Sequence, residues 1–325
     1  MTLHLPDKWI WDFWLAQDGR GYHVFYLQAP RSLGDPDLRH WNVSVGHAVS
    51  QDLRDWRVLP DALHPSEESS DAFDNYTTWT GSTIYYRGIW YLLYTGARRE
   101  EEGLVQRIGL ATSPNLDDWE KHPDNPLIVA DPRWYELLDP DLWHDQAWRD
   151  PWVFRHPEEG DFHAYITARS NQGPADGRGV IAHARSDDLV HWEVQPPVTK
   201  PGSYGHMEVP QMVTIGGRHY LLFSVRGSIH SSRRRKETER QPFTGVHYLS
   251  ADNPLGPFPM VSDELLVGDE VGSLYAGKLV QDPEEAWVML ATRMHGPDGD
   301  FVGALSDPMP VTVSEAGALS VRWER

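Results

Sequence analysis

A short apolar and aromatic segment recurs five times along this chain. The copies are YHVFYLQA from Tyr22, WYLLYTGA from Trp90, FHAYITAR from Phe162, HYLLFSVR from His219 and AWVMLATR from Ala286, at intervals of 57 to 72 residues. Each copy has the length and composition of a buried β-strand, and turn residues such as Asp18-Gly19 or Gly216-Gly217 come shortly before. The chain is therefore predicted to consist of five similar β units.

A second repeat runs out of phase with the first. In it a strand ends in Ser, a turn with Asp or Asn follows, and an aromatic residue opens the next strand. Its copies end at Trp56, Trp119 and Trp192, with a weaker copy ending at Phe258. All-β repeats of this period are typical of propellers, in which each unit is a four-stranded blade. We therefore predict an all-β, five-bladed β-propeller.

The propeller places five polar residues in equivalent positions. Asp12, Ser82, Asp150, Glu208 and Tyr275 lie 8 to 12 residues before the five copies of the first repeat. That position belongs to the innermost strand of each blade, which lines the central channel. Three carboxylates that are distant in sequence are therefore predicted to meet at the mouth of the channel.

Composition and net charge limit the classes of partner that this protein can have. The net charge of −19 disfavours nucleic acid and anionic membranes as partners, because both require a basic face, and it suits a neutral substrate. The absence of Cys fits a reducing compartment. The N-terminus lacks the pattern of a signal peptide, and no apolar run approaches the roughly 20 residues that span a bilayer. We expect a cytoplasmic protein with one domain, residues 1–325, and a homodimer is compatible with the sequence.

The residue types around the three acids suit glycoside cleavage. One carboxyl group can protonate the leaving oxygen, while a second attacks the anomeric carbon or activates water. Trp11 and Trp14 flank Asp12, and Trp79 could offer a flat face to a sugar ring or pack in the core. His47 could equally contact a sugar or lie in the core. No HExxH, GxGxxG or P-loop pattern is present, so neither a metal nor a cofactor is predicted.

The motifs resemble those of the furanosidase clan, glycoside hydrolase families 32 and 68. WIWDFWLAQDG looks like the family-68 nucleophile segment, and WNVSVGHAVSQDLRDW is similar to the family-32 segment that follows it. WTGS resembles a Trp/Phe-Ser-Gly-Ser element, WRDP matches the Arg-Asp-Pro motif, and MEVP looks like the Glu-Cys-Pro motif. The clan contains invertases, levanases, inulinases and levansucrases, so the resemblance implies a β-fructofuranosidase, with fructosyl transfer as a further outcome.

The resemblance also implies roles for individual residues. Asp12 would be the nucleophile, Asp150 would hold the fructosyl hydroxyls, and Glu208 would be the acid and then the base. Arg149, Trp79, Ser82 and Tyr275 would line the sugar subsite. Retention of configuration predicts carboxyl groups about 5 to 5.5 Å apart for Asp12 and Glu208, and an acid role predicts a raised pKa for Glu208.

The chain departs from the family pattern at several places. Where family 32 has Gln in its FYQYNP-like segment, this chain has Leu27, with Gln28 one place later as a candidate sugar contact. Val209 replaces the Cys that follows the acid in family 32, and the C-terminal β-sandwich of that family is not expected. Two alternatives stay open: an inverting, family-43-like enzyme for arabinofuranosides or xylosides, and a carbohydrate-binding propeller without turnover.

Overall fold

The computed structural model describes residues 3–238, 241–260 and 265–323. In this part of the chain the strands form five antiparallel sheets, each built from consecutive strands. The predicted five-bladed propeller is confirmed. The strands of blades one to three, in chain order, are β1 Lys8–Asp18, β2 Gly21–Pro30, β3 Ser44–Ser50, β4 Arg57–Leu63, β5 Thr77–Tyr86, β6 Ile89–Ala97, β7 Gln106–Ser113, β8 Glu120–Lys121, β9 Trp148–Arg155, β10 Phe162–Arg169, β11 Gly179–Ser186 and β12 Trp192–Gln195.

Blade five departs from the regular blade pattern. Its order is β17-β18-β20-β21, and β19 pairs with β18 as an additional strand. The strands of blades four and five are β13 Glu208–Ile215, β14 Arg218–Val225, β15 Thr244–Ala251, β16 Leu265–Asp269, β17 Leu274–Gln281, β18 Trp287–His295, β19 Phe301–Leu305, β20 Met309–Val313 and β21 Leu319–Val321. A six-residue helix, α1 Ser232–Glu237, carries the basic run of the sequence, and no helix in the described ranges is long and apolar enough to cross a membrane.

The five copies of the first repeat form the second strand of each blade: β2, β6, β10, β14 and β18. These strands are almost wholly buried because a blade covers each of their faces; β10, for example, is buried at every position. The second repeat forms the turn after the third strand. In three blades Asp52, Asn115 or Asp188 accepts two backbone N–H groups through one side-chain oxygen.

The ring closes where blade five meets blade one. Ile10, Phe13 and Val24 of blade one share an apolar cluster with Leu290 and Leu305 of blade five. The Leu305 N–H also donates to the carbonyl of Leu3 at 3.0 Å. This closure holds β1, which carries Asp12, beside β17 and β18, so the two ends of the chain contribute to one channel.

Candidate active site

A bulge at the same level of the innermost strands brings the polar residues into the channel. In every blade the register between the first and second strands shifts once. The shift lies at Trp11/Phe13 in β1, Trp79/Gly81 in β5, Glu208/Gln211 in β13 and Tyr275/Lys278 in β17. In β9 it lies at Asp150. The bulged residues Asp12, Asp150, Val209 and Ala276 have positive φ. At a bulge two neighbouring residues oppose one partner, which re-aims their side chains.

In a regular strand the neighbours Arg149 and Asp150 would point to opposite faces, and the bulge changes this. Both residues line the same pocket, and Arg149 Nε lies 3.8 Å from a carboxylate oxygen of Asp150. The consecutive residues Trp11 and Asp12 also both line the pocket, and so do Trp79 and Thr80. The bulge replaces the alternation of side chains that a regular strand would impose.

The pocket has a volume of about 270 Å³ and lies at the channel mouth. All three predicted acids line it, together with Trp11, Trp79, Arg149 and Tyr275 among the predicted substrate contacts. The remaining lining residues are Leu27, Arg39, His40, Trp41, Thr80, Gly103, Leu104, Gln106, His144, Asp145, Arg226, Thr292, Met294 and Phe301. Carboxylates, guanidinium groups and aromatic faces therefore surround one cavity.

Glu208 is held as an anion. Arg149 Nη2 donates to Glu208 Oε1 at 2.7 Å, and the Tyr275 hydroxyl donates to Glu208 Oε2. Burial alone would raise the pKa of Glu208, but the charge of Arg149 and the hydrogen bonds outweigh it and hold this pKa well below its usual range. The predicted rise in the pKa of Glu208 is therefore wrong for the unliganded protein, because the sequence did not show that Arg149 would reach Glu208.

Asp12 lies in the opposite environment. Burial, then the negative charges of Asp150 and Glu208, raise its pKa from 3.8 to about 7. Its carboxylate is approached by Thr80 Oγ1 at 3.4 Å, which is a long hydrogen bond. Asp12 therefore takes up a proton more readily than Glu208 does.

Asp150 is tied more firmly into the protein. Its Oδ2 accepts hydrogen bonds from Thr167 Oγ1 at 3.0 Å and from the Val209 N–H at 3.1 Å. Burial nevertheless raises its pKa, against the opposing charge of Arg149. Because two donors hold this one oxygen in place, Asp150 suits a positioning task more than proton transfer.

Arg149 is the centre of a polar network. Its Nη1 donates to Asp145 Oδ2 and Gln106 Oε1, each at 3.0 Å, and its Nη2 also lies 3.1 Å from His206 Nδ1. His206 is buried, and burial together with Arg149 lowers its pKa to about 3. The imidazole is therefore neutral and can accept the guanidinium hydrogen bond.

A buried lysine lies behind the acids. Lys278 Nζ donates to the carbonyls of Val209 and Pro210 at 2.7 and 2.9 Å. Burial lowers its pKa to about 7, and the charges of Asp150 and Asp12 act in the opposite direction. Lys278 therefore links the bulge of blade four to blade five.

Four predicted substrate contacts lie outside the pocket. Trp14 is fully buried and stacks on Phe25, and Gln28 donates to Ser44 Oγ at 3.0 Å within blade one. His47 is buried against His23, which gives it the core role rather than the sugar contact. The Ser82 hydroxyl donates to the Pro151 carbonyl at 2.7 Å and so joins blades two and three. Thr80, two residues earlier at the bulge, faces the pocket in place of Ser82.

Several pocket residues escaped the sequence analysis. Arg39 lies in a 3₁₀ turn, Pro36–Trp41, outside both sequence repeats. Arg226 directly follows β14, and Asp145 precedes β9. Outside the pocket lining, His206 and Lys278 carried a usable signal, because they lie two and three residues from the predicted positions Glu208 and Tyr275.

Two groups of charged residues lie outside the pocket. The basic run Arg233-Arg234-Arg235-Lys236 forms most of α1, and none of its side chains lines the pocket. Away from the pocket, His156, Glu159 and Asp161 bring potential ligand atoms within 4.8 Å of one another, a group that the sequence analysis did not identify. Asp161 is already paired there with Arg185 at 2.5 Å.

Comparison with known sequences decides the family. The family described as glycosyl hydrolases family 32, N-terminal domain, matches residues 14–301. The chain belongs to glycoside hydrolase family 32. This family 32 match runs from blade one into blade five and includes Asp150 and Glu208, and it begins two residues after Asp12. The family-68 part of the sequence resemblance has no such support.

Two curated relatives from plants match this chain. An insoluble β-fructofuranosidase isoenzyme of Arabidopsis thaliana, CWINV5, is 32% identical over 328 residues, which cover 93% of this chain and 53% of the relative. A sucrose:sucrose 1-fructosyltransferase of Festuca arundinacea is 32% identical over 210 residues, covering 61% of this chain and 28% of the relative. The family 32 chain thus spans about half or less of the length of these relatives.

Solved structures share the fold. An inulosucrase from Halalkalicoccus jeotgali bound to kestose has a TM-score of 0.77 at 20% identity, covering 98% of this chain and 87% of the other. A sucrose-6-phosphate hydrolase from Lactobacillus gasseri has a TM-score of 0.75 at 20% identity, covering 98% and 62%. A thermostable family-43 glycoside hydrolase also matches, with a TM-score of 0.68 at 15% identity, covering 100% and 96%.

Proposed function

We propose that this protein is a retaining glycoside hydrolase that cleaves β-fructofuranosides such as sucrose, fructo-oligosaccharides or fructans, and that it can transfer the fructosyl group. The observation that carries the proposal is the meeting of Asp12, Asp150 and Glu208 in one pocket of a family 32 propeller. The β-fructofuranosidase and fructosyltransferase relatives support the same substrate class.

The environments of the acids suggest how the reaction proceeds. Ionised Asp12 attacks the anomeric carbon and forms a fructosyl–enzyme ester, while Glu208 gives its proton to the leaving oxygen. Water, activated by the Glu208 carboxylate, then hydrolyses the ester, and an acceptor hydroxyl in its place gives transfer. Asp150, with one carboxylate oxygen held in place by two donors, holds fructosyl hydroxyls. The predicted Asp12–Glu208 separation stays a prediction.

One proton serves the two reacting carboxyl groups. The reaction requires a form in which Asp12 is ionised and Glu208 is protonated, and in the free protein the proton favours Asp12. Such a pair titrates as a unit, so the one-proton form is lost as the pH rises through about 7. Activity is therefore expected to fall on the alkaline side of pH 7, and a flat profile between pH 4 and 8 would contradict this mechanism.

The test is a substrate panel. Purified protein is incubated with sucrose, kestose, inulin and levan, beside aryl arabinofuranoside and aryl xyloside, with Asp12→Ala and Glu208→Gln as inactive controls. Fructose release that disappears in both variants is the expected result. Activity on the arabinoside or xyloside alone would refute the fructoside proposal in favour of a family-43-like activity, and sugar binding without turnover would favour a binding protein.

A cytoplasmic location, a homodimer and a single domain over residues 1–325 stay predictions. Cell fractionation and the mass of the protein in solution test the first two. Limited proteolysis tests the third.

A further inference from the structure

Lys278 is a charged side chain inside the channel for which the proposed reaction gives no task. It lies on β17 where the pairing with β18 shifts, and only 2% of its surface is exposed. Lys278 does not line the sugar pocket. It borders a second cavity, of about 280 Å³, which is lined by later residues of the innermost strands β1, β9, β13 and β17. A buried ammonium group needs partners, so the partners of Lys278 indicate what it does.

The hydrogen bonds of Lys278 go to the two residues that follow Glu208. Its Nζ donates to the carbonyl oxygens of Val209 and Pro210 at 2.7 and 2.9 Å. Val209 is β-branched, has a φ of 52° and precedes a proline, and each of these features makes its backbone conformation unfavourable by itself. The turn after Glu208 therefore needs support from outside β13.

Lys278 and Asp150 support Val209 from its two sides. The Val209 N–H donates to Asp150 Oδ2 at 3.1 Å, while the Val209 carbonyl accepts from Lys278. Because the peptide groups before and after Val209 are both held, its φ and ψ angles are fixed. Glu208 shares the first of these peptide groups, so the direction of its side chain depends on the same two contacts.

Neighbouring contacts hold the ammonium group in place. Lys278 Nζ lies 5.3 Å from the ring centroid of Trp152, within the range of a cation–π contact. Gln211 pairs with Leu279 in both directions: its Nε2 donates to the Leu279 carbonyl at 2.8 Å, and the Leu279 N–H donates to its Oε1 at 2.7 Å. The strands β9, β13 and β17 are thus joined at Lys278 and the residue after it.

The charge of Lys278 also acts on the acids of the site. Burial lowers the pKa of Lys278 to about 7, and the charges of Asp150 and Asp12 oppose this fall. Burial, then the charges of Asp150 and Glu208, raise the pKa of Asp12 to about 7. Arg39 and Lys278 are the cations whose charges oppose that rise. Ionised Asp12 and protonated Lys278 therefore stabilise each other.

We propose that Lys278 is a positioning residue for the proposed reaction. It holds the turn after Glu208 in the direction that the reaction needs, and its positive charge favours the ionised form of Asp12 that attacks the sugar. Because Lys278 does not line the pocket, it acts on the sugar only through these residues. The positioning role rests on the proposed function, whereas the effect on Asp12 can be measured in the protein without substrate.

The first test follows the Asp12 carboxyl group by NMR without substrate. The aspartate carboxyl carbons are labelled with ¹³C, and the Asp12 signal is identified by its loss in Asp12→Asn. Lys278→Met has a side chain of similar length without the charge. In this variant the Asp12 titration is expected to move upward by about one pH unit, because an opposite charge no longer favours the carboxylate. Lys200→Met, at an exposed position outside the pocket, changes the net charge equally and should leave the titration unchanged.

The second test is the pH profile of fructoside cleavage. The alkaline fall of kcat/KM in Lys278→Met is expected about one pH unit above that of the wild type, because the proton shared by the two carboxyl groups is held more tightly. The maximum is expected to be about 10- to 100-fold lower, in line with the loss of hydrogen bonds from a charged group. Lys278→Gln lacks the charge but keeps a hydrogen-bond donor. It should show the same pH shift with a smaller loss, and it replaces Lys278→Met if that variant does not fold.

Chemical rescue tests whether the ammonium group itself is required. Lys278→Ala leaves space beside the second cavity, through which a small amine can enter. Propylammonium added to this variant is expected to restore part of kcat and to return the alkaline fall toward that of the wild type. Propanol, a neutral molecule of the same size, should restore neither, and the wild-type protein should not respond to propylammonium.

A folded Lys278→Met in which neither the Asp12 titration nor the alkaline fall moves would overturn the proposal. A lower kcat alone would not rescue it, because that result indicates a merely structural role. Failure of the proposed function gives a different result. If fructosides are cleaved and neither pH dependence moves, only the role of Lys278 is refuted. If the Asp12 titration moves but no fructoside is cleaved, the proposed reaction is refuted and the coupling between Lys278 and Asp12 stands.

Discussion

At the scale of single residues, different neighbouring side chains give the two carboxyl groups of the site different pKa values. Glu208 receives hydrogen bonds from Arg149 and Tyr275, whereas Asp12 is buried near two other acids. Two carboxyl groups thus behave differently: that of Glu208 is an anion, and that of Asp12 has a raised pKa and accepts a proton more readily. Keeping the Asp12 carboxyl group in this environment lowers the free energy of unfolding. The site uses the same environment for reactivity.

The substitution Asp12→Asn is expected to stabilise the protein while it abolishes activity. Because the folded pKa of Asp12, about 7, lies above the unfolded value of 3.8, the wild-type protein loses stability as the pH rises between these values. The gain in the variant should therefore be near zero at pH 4 and reach up to about 4 kcal/mol above pH 7, at about 1.4 kcal/mol per pKa unit.

Urea unfolding at pH 4, 6 and 8 measures this gain. Asp71→Asn, at an exposed position, is the matched control and should differ little from wild type at any pH. An Asp12→Asn variant that is less stable than wild type at pH 8 would show that the Asp12 carboxylate is well accommodated.

The sequence identified the acids but not their protonation. Asp12, Asp150 and Glu208 could be placed in one channel because the repeat fixed their positions on equivalent strands. The pKa of Glu208 could not be predicted, since it depends on a contact with Arg149 across blades. Arg39 was missed for a similar reason, as its 3₁₀ turn lies outside the repeat and reaches the pocket only through tertiary packing.

At the scale of strands, buried histidine pairs join the second and third strands of two blades. His23 Nδ1 lies 2.8 Å from His47 Nε2 in blade one, and His163 Nδ1 lies 2.8 Å from His183 Nε2 in blade three. Asp18 and Asp161 each lie beside the first histidine of a pair, at 3.0 and 3.3 Å. These hydrogen bonds assign the tautomers, and each pair needs one neutral nitrogen as the acceptor.

Replacing His183 with Gln should make unfolding less dependent on pH. Burial lowers the pKa of His183 to about 3, so the unfolded chain binds more protons than the folded protein below pH 6.5, and wild-type stability falls there. The variant loses a hydrogen bond and packing at pH 7.5, at a cost of about 1 to 2 kcal/mol. This deficit should shrink by up to about 1.4 kcal/mol per pH unit below pH 6.5.

The measurement is the free energy of unfolding at pH 7.5, 6 and 5. His64→Gln, at a side chain that is 65% exposed and lies 3.8 Å from Asp61, serves as the control, and its difference from wild type should change less with pH than that of His183→Gln. A deficit for His183→Gln that grows as the pH falls would mean that His183 is stabilised by its charge.

The strand pattern predicted the blades but not the bulges. Alternation along β9 places Arg149 and Asp150 on opposite faces, and only the bulge, with φ of 58° at Asp150, brings both into the pocket. Neither Asp12 nor Asp150 is a Gly, the usual sequence signal for positive φ. The same cause explains why Thr80 rather than Ser82 faces the channel.

At the scale of the whole molecule, function depends on closing the ring. Asp12 is in the first blade and Glu208 in the fourth, and blade five lies between them. The apolar cluster around Phe13 and Leu290 joins the first and last blades. The repeat predicted this neighbourhood, whereas the additional strand β19, which contacts β1, was not visible in the sequence.

Truncating this cluster is expected to weaken the fold and the site together. Leu290 is fully buried, so Leu290→Ala should lower the free energy of unfolding by about 2 to 5 kcal/mol and lower kcat below the unfolding transition. Leu137→Ala, at a residue that is 43% exposed, should cost less than about 0.5 kcal/mol. Chemical unfolding and sucrose kinetics on the same samples would show this. Unchanged kcat in a strongly destabilised variant would separate ring closure from catalysis.

The most direct test of the central claim, that Asp12 and Glu208 act together on a fructoside, is mass spectrometry of acid-quenched protein. Glu208→Gln is incubated with an aryl or fluoride fructoside whose leaving group needs no proton, digested and analysed. We expect the mass of one hexosyl residue on the peptide containing Asp12, and no addition in the double variant that also carries Asp12→Ala. A substrate that is turned over with no adduct on that peptide, or with the adduct on another acid, would contradict the claim.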